Sequence, residues 1–330
     1  MALTAPLRLR VDEQSAVAAV RRQARGMAAR LGFDETAQEE AAIVATELST
    51  NLLRHAGHGV VVLRPDGASG GLDVLAWDRG PGIGDVARSL RDGFSTTGGS
   101  GTGLGAVGRL ALAFDVQSTP GRGTAVLARL GGVTTATPAV DGLALALEGE
   151  TASGDGWAAV QDGSVLTIML ADGLGHGDDA ARAAAAAMRE LLPGISPEEQ
   201  LERAHGALRS TRGAAAAVAR LDLRSGALRF AGIGNIAAVT VTGGVAKALP
   251  SMNGTLGSRV ERIVAYERRL EPGSLLVMHS DGARSGWDLA AYPGAVRRDP
   301  LLIAALLIRD FERGRDDVSA VVARVPVEAR

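Results

Sequence analysis

Two sets of residues in this 330-residue sequence have the types and spacing to do chemistry. In the first, Glu47, Asn51 and His55 recur every four residues, so they share one side of a helix beside an apolar stripe at Val44, Leu48 and Leu52. A strand-like run from Leu72 to Trp77 ends in Asp78-Arg-Gly80-Pro-Gly82-Ile-Gly84, a carboxylate followed by glycines that let a ligand approach the backbone. An acceptor in that setting suits an exocyclic amine. Next, Gly98-Gly-Ser-Gly101-Thr-Gly103-Leu-Gly105 opens a helix, where free N–H groups and the positive end of the helix dipole can face phosphate. The loop lacks both the Lys-Ser/Thr ending of a P-loop and the acid context of a dinucleotide fold. Each element alone is common, but the three in this order point to a nucleotide pocket.

The second set is acidic. Gly154-Asp155-Gly156 precedes a strand, and Val165–Ala171 ends in Asp172-Gly173-Leu-Gly175-His176-Gly177. Ser274–Ser280 ends in Asp281-Gly282, and Arg315-Asp316-Asp317 opens the last strand. A single Asp-Gly is usually just a turn. Several carboxylates converging at strand ends repel one another unless hard cations neutralise them, and an all-oxygen ligand set selects Mg²⁺ or Mn²⁺. Asp178 and Asp179 are read as the start of the next helix, where acids favour the N-terminus, and not as ligands.

The elements that must position these residues fall into two groups. Before residue 131, helical patterns cover 13–31, 34–55 and 104–113, and strand patterns cover 60–64, 72–77, 114–118 and 124–130. After residue 141 come strands at 143–148, 157–161 and 165–171 and helices at 178–192 and 197–210. Further strands then run to Val325, interrupted by a helix near 301–311. Between the groups, Gly131–Asp141 is small, polar and proline-containing. The expected organisation is therefore a first domain over 1–130, a linker over 131–141 and a second domain over 142–330. An α/β (α+β) class is expected, with a layered α/β domain followed by mostly antiparallel sheet with a few helices.

Composition excludes several roles. The 35 basic and 37 acidic residues leave a net charge of −2 without a basic stripe, so no nucleic-acid partner is expected. The absence of cysteine rules out disulfides, thiolate nucleophiles and zinc–thiolate sites. The apolar stretch Leu301–Ile308 is far shorter than the roughly 20 residues a membrane span needs. The opening Met-Ala-Leu-Thr-Ala-Pro reaches Arg8, Arg10 and Asp12 without an apolar signal region, so a cytoplasmic protein with no membrane partner is expected.

Over residues 10–130 the first set of motifs resembles the ATP-binding GHKL (Bergerat) α/β sandwich of gyrase, histidine kinases and MutL, and within it the serine kinases of the RsbT and RsbW type. The resemblance implies ATP with Mg²⁺ as cofactor. Asn51 would hold the metal, Asp78 would accept from the adenine amine, Gly80 and Gly82 would shape the adenine pocket, and Gly101, Gly103 and Gly105 would wrap the phosphates. Thr124 would add a second adenine contact, and Glu47 would be the catalytic base. Histidine kinases need a phosphoacceptor histidine ahead of this domain, whereas the first histidine here is His55, inside it. Protein serine or threonine is therefore the expected acceptor. The alternative is a domain that only binds nucleotide or a regulatory protein partner and transfers nothing.

The second set resembles the type 2C metal-dependent protein phosphatases of the SpoIIE, RsbU and RsbX branch, with an αββα sandwich, over about residues 140–326. It implies two Mn²⁺ or Mg²⁺ ions held by Asp155, Asp172, the Gly173 carbonyl, Asp281 and Asp316, with Asp172 and Asp281 central to catalysis. A bridging water would attack phosphoserine or phosphothreonine. Asp316 fits the family position better than Asp317, which is left a supporting role. His176 is open to two readings, a general acid or a structural loop residue. Joined on one chain, the two resemblances imply a partner-switching enzyme. Its protein partner would be a STAS-domain regulator, with a sigma factor or an activator phosphatase as further candidates.

Overall fold

Alternation of apolar side chains builds the first sheet. In the computed structural model, which describes residues 5–66, 69–90, 103–132 and 137–327, the order is β1 (Leu7–Val11), α1 (Gln14–Arg30), α2 (Glu35–Ala56), β2 (Gly59–Asp66), β3 (Gly71–Trp77), α3 (Val86–Ser89), α4 (Gly103–Leu110), β4 (Ala113–Thr119) and β5 (Gly123–Leu130). The strands form one antiparallel sheet in the order β1-β2-β3-β5-β4. Val61, Leu63, Leu72, Val74, Ala76, Val126 and Ala128 share a core with Val17, Val20, Met27, Val44, Leu48 and Leu52 of α1 and α2. Asp34 caps α2 by accepting from the Ala37 N–H at 2.8 Å, and Gly57 ends it in the left-handed conformation. Strand β1 has no counterpart in the sequence reading. Its Leu-Arg-Leu-Arg-Val alternation is only five residues long, and it gains its place by pairing with β2 from the sheet edge.

The second group of elements comprises β6 (Val140–Leu145), β7 (Asp155–Asp162), β8 (Val165–Gly173), α5 (Asp178–Arg189), α6 (Pro197–Ala207), β9 (Ala214–Asp222), β10 (Ala227–Ile233), β11 (Ala237–Thr242), β12 (Val245–Leu249), β13 (Ala265–Arg269), β14 (Leu275–His279), α7 (Pro300–Phe311) and β15 (Val318–Arg324). Their strands form two five-stranded antiparallel sheets, β13-β10-β9-β8-β7 and β12-β11-β14-β15-β6. One core unites residues of both sheets, among them Ile168, Leu170, Ala217, Phe230, Ala238, Leu276, Met278 and Val321. The opposite face of the first of these sheets is covered by α5 and α6. The alanines at 183, 184 and 187 of α5 and 214 and 216 of β9 leave little side-chain bulk between helix and sheet, so the two layers pack closely.

The chain divides into two compact units, Met1–Thr137 with Ala291–Arg309, and Pro138–Ala290 with Asp310–Arg330. The step between Thr137 and Pro138 lies inside the expected linker. Residues 291–309, assigned to the second domain from sequence, instead group with the first unit. The physical reason is a charged run, Arg297-Arg-Asp299, that finds partners on β4 and β5, followed by a helix whose residues from Pro300 to Arg309 are all buried. Among the described residues no helix is long and apolar enough to cross a membrane.

Candidate functional sites

In the first unit, α2, the end of β3 and the start of α4 enclose a cavity of about 500 Å³ lined by Glu47, Asn51, His55, Asp78, Gly82, Gly103 and Thr124. That volume lies within the usual range for small-molecule sites. Asp78 sits one residue beyond β3, and its Oδ1 accepts from the Gly80 N–H at 2.7 Å and the Thr124 N–H at 3.3 Å. Burial raises its pKa, opposed by those two N–H groups and by the charges of Arg309 and His55. Thr124 Oγ1 lies 2.8 Å from Ser118 Oγ, which also accepts from the Ile83 N–H at 2.7 Å.

Glycine is required where this floor is tightest. A Cβ on Gly82, at φ +72°, would lie 2.4 Å from the Thr119 carbonyl oxygen, and one on Gly80 would lie 2.7 Å from the Ala56 Cβ. Gly103 begins α4 within 3.5 Å of Asn51 and Glu47, measured from where its Cβ would be, so helix start and polar helix edge meet. Gly105 follows on α4, and Gly101 lies outside the described residues. His55 has its pKa lowered, by burial first and then by Arg54, while Asp78 opposes the shift. The arrangement can accept a hydrogen bond from a flat amine-bearing ring and present a helix N-terminus to an anion.

In the second unit the acids gather where strands end. Asp155 opens β7 directly opposite Asp172 on β8. Close backbone approach depends on the adjoining glycines. A Cβ on Gly173 would lie 2.2 Å from the Ala180 carbonyl oxygen, and one on Gly282 would lie 1.9 Å from the Asp317 carbonyl oxygen. Asp172 is pushed up to about 8, by burial first and then by Asp155, Asp281, Asp316 and Asp317. Asp155 is also raised, chiefly by burial, with the Ser280 and Ser319 hydroxyls opposing the rise. Its Oδ2 is buried without a hydrogen-bond partner. Asp316 is raised by burial first, then by Asp281 and Asp317.

Asp317 differs from its neighbour. Its Oδ1 accepts from the Leu147 N–H at 2.7 Å and its Oδ2 from the Gly154 N–H at 2.6 Å, so both oxygens are occupied in pinning the approach to Asp155. Asn235, which the sequence reading did not single out, donates to Asp281 Oδ2 at 2.6 Å. Its only signal is the Gly-Asn bend that directly follows β10. His176 Nδ1 lies 2.8 Å from Glu150 Oε1, with the His176 side chain exposed. Asp178 and Asp179 occupy the first turn of α5, and Asp179 pairs with Arg182 and, at 2.7 Å, with Arg212.

Among the described residues no three acidic or imidazole groups form a ready-made metal cage. The donor set nevertheless fits hard divalent cations. It is all oxygen, mutually repelling, and includes a buried carboxylate oxygen without a partner. A stability consequence follows. In the metal-free fold Asp172 keeps a proton that the unfolded chain, with an aspartate pKa of about 3.9, gives up. Stability in EDTA therefore falls as pH rises from about 4 toward 8. Added Mn²⁺ displaces those protons, so the rise in Tm it produces is expected to be larger at pH 8 than at pH 6. At 100-fold excess over Kd the gain is about 2.7 kcal/mol, roughly 5–10 °C. Equal gains at both pH values, read by scanning calorimetry, would contradict this account.

Comparison with known proteins adds to the geometry. The family described as "Histidine kinase-like ATPase domain" matches residues 11–130, and that described as "Stage II sporulation protein E (SpoIIE)" matches residues 162–326. The serine/threonine-protein kinase RsbT of Bacillus subtilis is 36% identical over 122 residues, which are 36% of this chain and 92% of RsbT. The phosphoserine phosphatase RsbX of the same organism is 27% identical over 143 residues, 42% of this chain and 71% of RsbX. A solved structure described as the bacterial stressosome, a modular system adapted to control secondary messenger signalling, is 30% identical with a TM-score of 0.51. The match covers 56% of this chain and 98% of that one.

Proposed function

Since this chain belongs to the histidine kinase-like ATPase family through residues 11–130 and to the SpoIIE family through residues 162–326, we propose that it is a partner-switching enzyme acting on STAS-domain regulators of a stress or sigma-factor pathway. Its second half is a metal-dependent phosphoserine/phosphothreonine protein phosphatase, and its first half is an ATP-binding serine/threonine kinase. The observation that carries the phosphatase reading is the electrostatic convergence of Asp155, Asp172, Asp281 and Asp316 at the strand ends.

In the phosphatase half, Asp155, Asp172, Asp281, Asp316 and the Gly173 carbonyl would hold two Mn²⁺ or Mg²⁺ ions, which supply charge neutralisation and an activated water. Asp317 keeps the loop before Asp155 in place through its two backbone bonds, and Asn235 orients Asp281. In the kinase half, Asp78 would accept from the adenine amine with Thr124 beside it, and Gly80 and Gly82 would shape the adenine pocket by letting its floor pack closely. Asn51 would carry Mg²⁺, and the start of α4, with Gly101, Gly103 and Gly105, would face the phosphates. Glu47, one helical turn from Asn51, orients the acceptor hydroxyl for in-line attack.

The test is to incubate the intact chain with a purified STAS protein and labelled ATP, and separately with the phosphorylated STAS protein and Mn²⁺. Label transfer in the first and release in the second are expected. Release without transfer leaves the phosphatase with an N-terminal domain that only binds nucleotide or a protein partner, and absence of both rejects the proposal.

A further inference from the structure

Residues 291–309 fall inside the stretch matched by the SpoIIE family, yet they group with the unit that carries the nucleotide cavity. Their bonds in that unit are specific. Asp299 accepts from Arg129 Nη2 at 2.8 Å, and its own N–H donates to Asp115 Oδ2 at 2.7 Å. Arg298 donates to Asp115 and Gln117, each at 3.1 Å, and Gln117 Nε2 donates to the Pro293 carbonyl at 3.2 Å.

The last residue of this segment reaches the cavity wall. Arg309, only 4% exposed, donates from Nη1 to the backbone carbonyl of Asp78 at 3.2 Å, and the Arg79 guanidinium donates to the Arg309 carbonyl. The Asp78 N–H still donates to the Thr124 carbonyl at 2.9 Å, and the two Arg bonds hold the other side of the Asp78–Arg79 pair immediately after β3, at the Asp78 carbonyl. On its other side the same carbonyl is confined by the chain at Gly123, where a Cβ would lie 2.1 Å from the Asp78 oxygen. Asp78 thus has its N–H set by Thr124 and its carbonyl by Arg309 and Gly123, while its carboxylate lines the cavity.

We infer that Arg309 is a positioning residue of the nucleotide pocket, supplied from the phosphatase-matched part of the sequence, and that it fixes the backbone carrying the carboxylate that reads the adenine amine. This rests on the reading of the cavity as an adenine-nucleotide site. A residue that only stabilised the fold would affect all nucleotides alike. One that places Asp78 affects the distinction between a base with a 6-amino group and one without it, because an acceptor set for that amine rejects a base lacking it.

The experiment is calorimetric titration of the intact chain with ATP and with inosine triphosphate, each with Mg²⁺. The wild type is expected to favour ATP by about ten-fold or more, as one charge-assisted hydrogen bond allows. Arg309→Met should weaken ATP about ten-fold and inosine triphosphate far less, bringing the ratio toward one. Arg309→Lys, which keeps one charged donor, should give an intermediate ratio, and it supplies the readout if Arg309→Met fails to fold. Arg298→Met, on the same segment but bonded to Asp115 and Gln117, should keep the wild-type ratio. Equal weakening of both nucleotides, or an unchanged ratio in both Arg309 variants, overturns the inference. A wild type that binds neither nucleotide overturns the underlying pocket reading instead.

Discussion

Asp172→Asn and Asp281→Asn are each expected to lower the rate on a phosphoserine protein by about 100-fold or more in Mn²⁺, the scale of losing one charge-stabilising group. Neither should unfold the chain. Asp172 is held well above the ordinary aspartate range by burial and four neighbouring carboxylates, so in EDTA an asparagine there, neutral without taking up a proton, avoids the cost of that raised pKa and the Tm should stay level or rise. Asp317→Asn is the contrasting case. Its two oxygens accept from Leu147 and Gly154, and one of those N–H groups would then face an amide NH₂. A loss of about 1–3 kcal/mol of stability is expected, since a buried donor loses its acceptor. Rates in Mn²⁺ and melting curves in EDTA for the three variants separate charge lost from the metal site and support lost from the loop. An undisturbed rate in both Asp172→Asn and Asp281→Asn, or full wild-type activity in EDTA, would sink the metal assignment.

What was legible in the sequence is what local chemistry writes there. The acids stand out because each ends or opens an apolar run, Asp155, Asp172 and Asp281 directly beside a glycine. The structure gives those glycines a reason, since a Cβ at Gly173 or Gly282 would collide with backbone from elsewhere in the chain. The spacing of Glu47, Asn51 and His55 placed all three on α2, and all three line the cavity. Illegible features depend on partners distant in sequence. Asn235 meets Asp281 from 46 residues away, and Asp317 meets Leu147 from 170. The apolar run at 301–308 offers no polar side from which a packing direction could be read. Its grouping with the first unit is visible only through bonds such as Arg129 to Asp299. Short strand β1 was missed because five alternating residues are too few to distinguish an edge strand from a loop.

Asp78→Asn is expected to weaken ATP binding by about 10- to 100-fold without loss of fold. An asparagine can turn its amide oxygen toward the Gly80 and Thr124 N–H groups and keep both backbone bonds that the aspartate makes now. The remaining atom facing the adenine amine is then a donor, so donor meets donor and the base loses its acceptor. Asn51→Asp should have a comparable effect for a different reason. It adds a negative charge one helical turn from Glu47 and beside the start of α4, where the phosphates must sit. Glu47→Gln separates binding from transfer, because it keeps the size of the side chain and removes only the charge proposed to orient the acceptor hydroxyl. Its ATP affinity should stay close to wild type while phosphate transfer falls by roughly 100-fold. These measurements belong on the intact chain, since a fragment ending at the linker lacks Ala291–Arg309 and with it the bond to the Asp78 carbonyl. Calorimetry with Mg²⁺ and ATP gives the affinities, and a labelled-phosphate assay gives the transfer. Wild-type affinity in both Asp78→Asn and Asn51→Asp would place the nucleotide elsewhere and remove the kinase half of the proposal.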